Sequence, residues 1–260
     1  MNEPALTENN TTTYNIDQLN DLTRADMARV NQVIVDHLAS PVVLINQLSR
    51  HIIHSGGKRL RPTLVMLCAK ACDYQGDQDA LLAAVVEFIH TATLLHDDVV
   101  DDSDLRRGQE TASSIWGNEA AVLVGDYLYS RAFQMMVKAH SMHMMDILAN
   151  ATNTIAQGEV LQLLNINDAN TSEERYIEVI YGKTACLFEA ATQIGAVLSD
   201  SDKQTEQALK SYGKHLGMAF QLIDDALDYT ANPDELGKNV GDDLAEGTHT
   251  ASYLCHATGQ

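Results

Sequence analysis

Two short acidic clusters, each preceded by an apolar run with helical spacing, constrain this chain more than any other feature. The first lies in EFIHTATLLHDDVVDDSDLRRG, residues 87–108, and the second in FQLIDDALDY, residues 220–229. Residues four apart lie one above the other on a helix, so each cluster predicts an acidic face on a largely apolar helix. The aspartates concerned are Asp97, Asp98 and Asp101 in the first cluster, and Asp224, Asp225 and Asp228 in the second.

Aspartates at this spacing repel one another on a helix, which favours a cationic partner. Mg²⁺ is typically held by one or two carboxylates, with phosphate oxygens completing its coordination shell. If the two helices face each other in a bundle, their carboxylates line one cavity, as in many helical-bundle metal sites. One such cluster alone is often a solvated surface turn, but two copies favour the metal site. We therefore predict that the two acidic clusters together hold Mg²⁺.

Composition favours an all-α protein built from long helices. The chain has 260 residues, of which 45% are hydrophobic, but only four prolines and 5% aromatic residues. These values argue against a turn-rich β-sandwich or barrel and allow one large helical domain. A formal net charge of -19 argues against nucleic acid as a partner, because phosphate backbones require a basic surface.

Localisation and cysteine chemistry follow from simpler patterns. No apolar stretch approaches the roughly 20 residues of a membrane span, and no signal peptide is visible, so we expect a cytoplasmic protein.

The cysteines form neither a CxxC motif nor a Cys/His ligand set, which indicates free, buried thiols. They are Cys68, Cys72, Cys186 and Cys255.

The helical pattern runs through most of the chain in one domain, residues 14–247. Residues 1–13 are polar and rich in Asn and Thr, which predicts a disordered leader. Periodicity predicts helices over about 15–38, 41–53, 62–72, 79–100, from 118, 143–164, 173–199 and 201–229. No β pattern of any length is present.

Basic residues lie in or next to the predicted helices at three points. GGKRLRP, residues 56–62, places Lys58, Arg59 and Arg61 next to two glycines. Alone, it fits a flexible turn with solvated charges better than an anion cradle, because its spacing is not that of a Walker loop. His90, two turns before Asp97 on the same face, fits a packing role and a diphosphate-binding role equally well. Lys183 is followed by Thr184 among apolar residues, where a purely structural helix needs no charge.

A cavity with acidic clusters and surrounding cations suits a densely anionic substrate bridged by metal ions, and diphosphate fits best. Because the helices beneath the acidic ends are strongly apolar, the rest of the substrate is expected to be a hydrocarbon. The combination indicates prenyl transfer.

The segments GGKRLRP, LLHDDVVDDSDLRRG, GKTACLFE and FQLIDDALDYTANPDELGKNVGDD resemble the motifs of the trans-isoprenyl diphosphate synthases, over about residues 17–247. The resemblance implies an isoprenoid synthase-like bundle of mostly antiparallel helices around a central cavity, usually a homodimer. It implies Mg²⁺-dependent ionisation of an allylic diphosphate, followed by attack of isopentenyl diphosphate on the carbocation. The implied product is a long all-trans polyprenyl diphosphate, of octaprenyl length, for a quinone side chain.

The resemblance also assigns roles to individual residues. The six aspartates fall on metal-binding positions. The isopentenyl diphosphate site is matched by Lys58, Arg61, His90 and Arg107. The allylic side is matched by Arg106, Lys183, Thr184, Gln221 and Lys238. Product length is expected to depend on the small residues Ala92 and Thr93, about one turn before Asp97, with Met136 or its neighbours closing a deeper tunnel.

Two other functions remain open. A terpene cyclase shares the aspartate-rich helix and metal-driven ionisation, but does not need a second diphosphate site. A non-catalytic or impaired subunit of a prenyl synthase, or a helical interaction protein, does not need intact acidic triads.

The last residues depart from the family pattern. After GDDLAEG the family continues with a Lys-Pro-Thr-Leu-Pro-like segment and further helices, whereas this chain reads THTASYLCHATGQ at 248–260. Codons can be chosen for this tail that give a family-like continuation one base along, so we expect a frameshift and premature stop. The expected consequences are a disordered tail, a missing active-site lysine near Thr248, exposed apolar surface and reduced activity, or activity rescued only by dimerisation.

Overall fold

The computed structural model describes residues 16–54, 57–106, 108–165 and 171–230. Almost all of these residues lie in helices, as the all-α prediction requires. The α-helices are α1 (Ile16–Leu38), α2 (Val43–His54), α3 (Leu60–Ala71), α4 (Gln78–Val100), α5 (Ala112–Trp116), α6 (Asn118–Lys138), α7 (Met142–Asn165), α8 (Glu173–Ile180), α9 (Cys186–Leu198) and α10 (Lys203–Thr230).

Helix α4 lies at the centre and carries the first acidic cluster at its carboxyl end. It packs against α1, α3, α6 and α9. Its apolar residues are buried on every side, from Ala80 through Leu82, Val85 and Ile89 to Leu95. A helix that is apolar all round is a core helix, and this one fixes the position of its terminal aspartates.

Helix α4 contradicts the expectation that no apolar stretch approaches the length of a membrane span. Among the described residues, α4 is long and apolar enough, by length and composition, to cross a membrane. Since 67% of its apolar window is buried inside the protein, its composition is explained by its place in the core.

Helices α1, α2, α3, α5, α6, α7 and α9 contribute to one cluster of buried apolar residues around α4. Pro62 lies in the first turn of α3, where its missing N–H costs no hydrogen bond. The Ser172 side chain accepts a hydrogen bond from Arg175 N at 3.3 Å and so caps α8. Cys68 and Cys186 are free and buried, as expected, and burial raises the pKa of both thiols to about 12. Cys72 is free but only half-buried, so the expectation of burial is wrong for this residue.

Three local features were not predicted. The expectation of no β structure is wrong, because Leu105–Arg106 (β1) pairs antiparallel with Gln109–Glu110 (β2). Two-residue strands are too short to show an alternating pattern. The short helix α5 was also missed, and the helix predicted over 173–199 is interrupted by a π-helical turn at Tyr181–Ala185.

Several predictions lie outside the described residues. These are the disordered leader, Arg107, Lys238, Cys255 and the aberrant tail at 248–260. They stay predictions.

Candidate active site

The first acidic cluster lies at the end of α4, where its adjacent aspartates have different partners. Asp97 and Asp98 are both buried, with 8% and 5% of their surface exposed, and Asp101 caps the helix. Successive residues on a helix are about 100° apart, so the two side chains leave it in different directions. Asp97 Oδ2 lies 3.9 Å from Lys183 Nζ, while Asp98 Oδ1 accepts a hydrogen bond from Arg106 Nε at 2.6 Å.

Burial controls the charge of these two carboxyl groups. It raises the pKa of Asp97 to about 7, with Lys183 acting in the opposite direction and the carboxylates of Glu159 and Asp101 adding to the rise. Burial likewise raises the pKa of Asp98, although Arg106 opposes it. The carboxyl groups are therefore held where additional positive charge would favour their ionised form.

Lys183 faces this cluster from the π-helical turn. Its ammonium lies 3.2 Å from Glu159 Oε2 on α7. Burial acts to lower the pKa of Lys183, but the nearby carboxylates of Asp97 and Glu159 outweigh it and the pKa is raised. Lys183 is therefore a half-buried, charged lysine shared between carboxylates of two helices.

Thr184, the next residue, faces the second acidic cluster. Its hydroxyl donates to Gln221 Oε1 at 2.7 Å, and Gln221 Nε2 donates to Asp225 Oδ1 at 2.7 Å. The Tyr176 hydroxyl donates to the other carboxylate oxygen of Asp225. Asp228 is fully buried in α10, whereas Asp224 is exposed. Consecutive residues of one turn thus contact both acidic helices.

A close approach of two glycines places this turn. A Cβ on Gly158 of α7 would lie 2.8 Å from Gly182 C and from Lys183 N. A Cβ on Gly182 would lie 2.9 Å from Gly158 Cα. Only glycine allows the two backbones to touch here, and the contact brings α7 beside Lys183.

The basic segment, residues 58–61, ends in the first turn of α3 and contacts α4 at two points. Arg59, in a left-handed conformation with φ 48°, forms an ion pair with Glu87. Arg61 Nη1 lies 3.2 Å from His90 Nε2, and its guanidinium stacks 4.4 Å from the centre of the Phe188 ring. Lys58, three residues before Arg61 in the chain, is exposed. The structure therefore brings Arg61 and His90 into contact.

The residues predicted to set product length lie deeper along α4 and α6. Ala92 is fully buried, Met136 is 2% exposed, and the Thr93 hydroxyl donates to the His90 carbonyl at 2.7 Å. Two small cavities lie beside α4, of about 60 Å³ and 20 Å³. Neither cavity is lined by Ala92, Thr93 or Met136. The role of these three residues in setting product length therefore stays a prediction.

Comparison with known proteins gives the family. Residues 42–259 match the family model described as Polyprenyl synthetase. The chain belongs to this family. The octaprenyl diphosphate synthase of Escherichia coli (strain K12) is 54% identical over 240 residues, covering 92% of this chain and 74% of that protein. The octaprenyl diphosphate synthase of Haemophilus influenzae is 52% identical over 239 residues, covering 92% and 73%.

A solved structure agrees with this assignment. The polyprenyl synthase from Caulobacter crescentus CB15, complexed with calcium and isoprenyl diphosphate, superposes with a TM-score of 0.91 at 50% identity. The match covers 94% of this chain and 75% of that chain. The predicted family and the predicted all-α isoprenoid synthase-like fold are confirmed.

The polyprenyl synthetase site has donors that suit a hard cation. Within the described ranges, no three carboxylate, imidazole or thiol side chains converge closely enough to hold a metal ion. However, the carboxylates of Asp97, Asp101 and Glu159 all act on the single ammonium of Lys183. Oxygen donors with excess negative charge are the ligands that Mg²⁺ prefers, so the first cluster fits this ion.

Sequence reasoning missed two residues of this site, Glu159 and Tyr176. Glu159 follows a glycine inside the apolar helix α7, and an acid beside a mid-helix glycine was the available signal. Tyr176 gives no such signal, because its bond to Asp225 joins residues 49 apart in the chain.

Proposed function

We propose that this polyprenyl synthetase is an Mg²⁺-dependent trans-prenyltransferase that condenses isopentenyl diphosphate with an allylic diphosphate. The product is a long all-trans polyprenyl diphosphate, of octaprenyl length, for a quinone side chain. The observation that carries the proposal is the π-helical turn, whose Lys183 reaches Asp97 and whose Thr184 reaches Asp225 through Gln221. The names of the Escherichia coli and Haemophilus influenzae relatives support the product length.

In this proposal the allylic diphosphate binds between the two acidic helices. The six aspartates hold Mg²⁺, which when bound supplies positive charge to the departing diphosphate. Lys183 donates to the diphosphate oxygens, and Thr184 and Gln221 orient the same group. Arg106 and Lys238 complete this side. The buried ammonium is useful because a charge in a water-poor site acts more strongly than one in solvent.

Isopentenyl diphosphate binds at the basic segment, residues 58–61, about two turns along α4 from Asp97. Lys58, Arg61, His90 and Arg107 hold its diphosphate. The contact of Arg61 with His90 and with the Phe188 ring fixes the guanidinium before the substrate arrives, which lowers the cost of ordering it on binding. The apolar residues of α4 beside the two sites exclude water from the carbocation.

We also propose a cytoplasmic homodimer. Helix α6 exposes Val122, Leu123, Phe133 and Val137. A second copy covering these side chains would remove apolar surface from water. Sedimentation equilibrium of the purified chain tests this proposal, and a monomer at micromolar concentration would contradict it.

Incubation of the purified chain with labelled isopentenyl diphosphate, a short allylic diphosphate and Mg²⁺ tests the function. We expect polyprenyl diphosphates that lengthen in five-carbon steps, and no product in EDTA. A hydrocarbon formed without isopentenyl diphosphate would identify a terpene cyclase. A folded chain that releases no diphosphate would identify a non-catalytic or impaired subunit.

A further inference from the structure

Helix α7 brings a carboxylate to the site that belongs to neither acidic cluster. Glu159 Oε2 lies 3.2 Å from Lys183 Nζ, closer than Asp97 Oδ2 at 3.9 Å. The second oxygen, Glu159 Oε1, is buried and accepts no hydrogen bond from the described residues. One carboxylate oxygen is thus buried, while the other lies beside the ammonium.

The backbone fixes both ends of this contact. Gly158 precedes Glu159 and Gly182 precedes Lys183, and the two glycines touch backbone to backbone. The backbone of each charged residue therefore directly follows the glycine at which the two segments are in contact. Their side chains are only 28% and 25% exposed, so this ion pair differs from a mobile pair on the surface.

We infer that Glu159 is a positioning residue that holds the Lys183 ammonium toward the bound allylic diphosphate. The inference rests on the proposed function. A lysine side chain has four flexible carbons, and it binds an anion well only when its ammonium is held in place. A cation on Asp97 would weaken the attraction of that carboxylate for Lys183. Glu159 would then be the remaining carboxylate that fixes the lysine.

Neutralisation of Glu159 should change diphosphate binding in opposite directions under two hypotheses. In one hypothesis Glu159 positions Lys183, and in the other it is only a negative charge near the diphosphate. A carboxylate close to a bound diphosphate repels it, so its neutralisation alone should strengthen diphosphate binding. If Glu159 positions Lys183, its neutralisation should weaken binding although it removes a negative charge. Glu159→Gln keeps the size of the side chain and changes mainly the charge.

The test measures binding of inorganic diphosphate in Mg²⁺ by calorimetry for wild type, Glu159→Gln, Lys183→Met and the double variant. We expect Glu159→Gln to weaken binding about tenfold, as for loss of a charged hydrogen bond. In the Lys183→Met background the same change should have no weakening effect, because Glu159 acts through the lysine. Glu178→Gln, an exposed change of equal charge on α8, is the matched control and should bind as wild type.

Kinetics give a second readout. In Glu159→Gln the KM for the allylic substrate should rise while the KM for isopentenyl diphosphate stays unchanged. Thermal unfolding checks that each variant is folded. If Lys183→Met does not fold, Lys183→Gln is used in its place.

Three outcomes would overturn the inference. They are unchanged or tighter diphosphate binding in Glu159→Gln, equal weakening in the presence and absence of Lys183, and equal changes in both KM values. If wild type elongates prenyl chains in any of these cases, the proposed function stands and this inference alone fails. A wild-type chain that neither binds diphosphate nor turns over would overturn both.

Discussion

Asp97 and Asp224 occupy the first position of matching clusters but have different surroundings. Asp97 is 8% exposed at the end of a core helix, whereas Asp224 is exposed on α10. We predict that Asp97→Ala and Asp224→Ala each lower kcat by about 100-fold or more, because transition-state charge stabilisation is lost. Neither should unfold the protein, since removal of a carboxylate relieves repulsion or desolvation.

Steady-state kinetics and thermal unfolding check both changes. Asp146→Ala, at an exposed position of α7, is the control and should keep wild-type activity. Unfolding of either aspartate variant, or near-normal turnover in Mg²⁺, would contradict the metal-binding assignment.

Ala92 tests the predicted product tunnel. It is fully buried about one turn before Asp97, so a bulky residue there narrows the space beneath the first cluster. Ala92→Phe should shorten the product to a few isoprene units and cost about 1 to 3 kcal/mol of stability through overpacking. Chromatography of the dephosphorylated products measures the length. Long products from a folded variant would show that the hydrocarbon does not pass along this face.

At the scale of helices, the contact between Gly158 and Gly182 controls the position of the π-helical turn. In Gly158→Ala the new methyl group would lie 2.8 Å from Lys183 N, closer than side chains normally approach backbone. We predict a loss of about 1 to 3 kcal/mol in unfolding free energy and a lower kcat, because the turn carrying Lys183 must shift. Urea unfolding and product formation measure the two effects.

Asn153→Ala, at an exposed position on the same helix, is the control and should change neither quantity by much. Gly158→Ala with wild-type stability and kcat would mean that the turn can move without loss.

The sequence was sufficient for the long helices because their signal is local. Helix α4 and the second acidic helix α10 were predicted within a few residues, since apolar periodicity and the acidic spacing are read within one segment. The π-helical turn was missed because one extra residue hardly alters a short apolar pattern. The contacts of Glu159 with Lys183 and of Tyr176 with Asp225 depend on how distant helices cross, which no local pattern reports.

The stability of the whole molecule should depend on the charge of Asp97. Its pKa is raised to about 7 in the folded protein, chiefly by burial, against about 3.9 in an unfolded chain. Between these pH values the folded state holds a proton that the unfolded state has lost. The free energy of unfolding therefore falls as pH rises through this window, by at most about 1.4 kcal/mol per pH unit from this group.

Urea midpoints near pH 5 and pH 8, in EDTA and at constant ionic strength, check this prediction. Wild type should lose more stability between the two pH values than Asp97→Asn, which cannot ionise at this position. Equal losses in the two proteins would show that Asp97 does not control this pH dependence.

The π-helical turn at Tyr181–Ala185 also changes the direction in which the side chains of α9 point relative to those of α8. A π-turn holds about one residue more than the α-helical turn it replaces, so the side chains after it are rotated by roughly 100° from where a continuous helix would place them. Before the turn, one face of α8 contacts α10 through Tyr176; after it, one face of α9 contacts Arg61 of α3 and Phe220 of α10 through Phe188. Deletion of one residue here would restore a regular helix and turn one of these faces away from its partner. The irregular turn thus allows one continuous segment to make both sets of contacts.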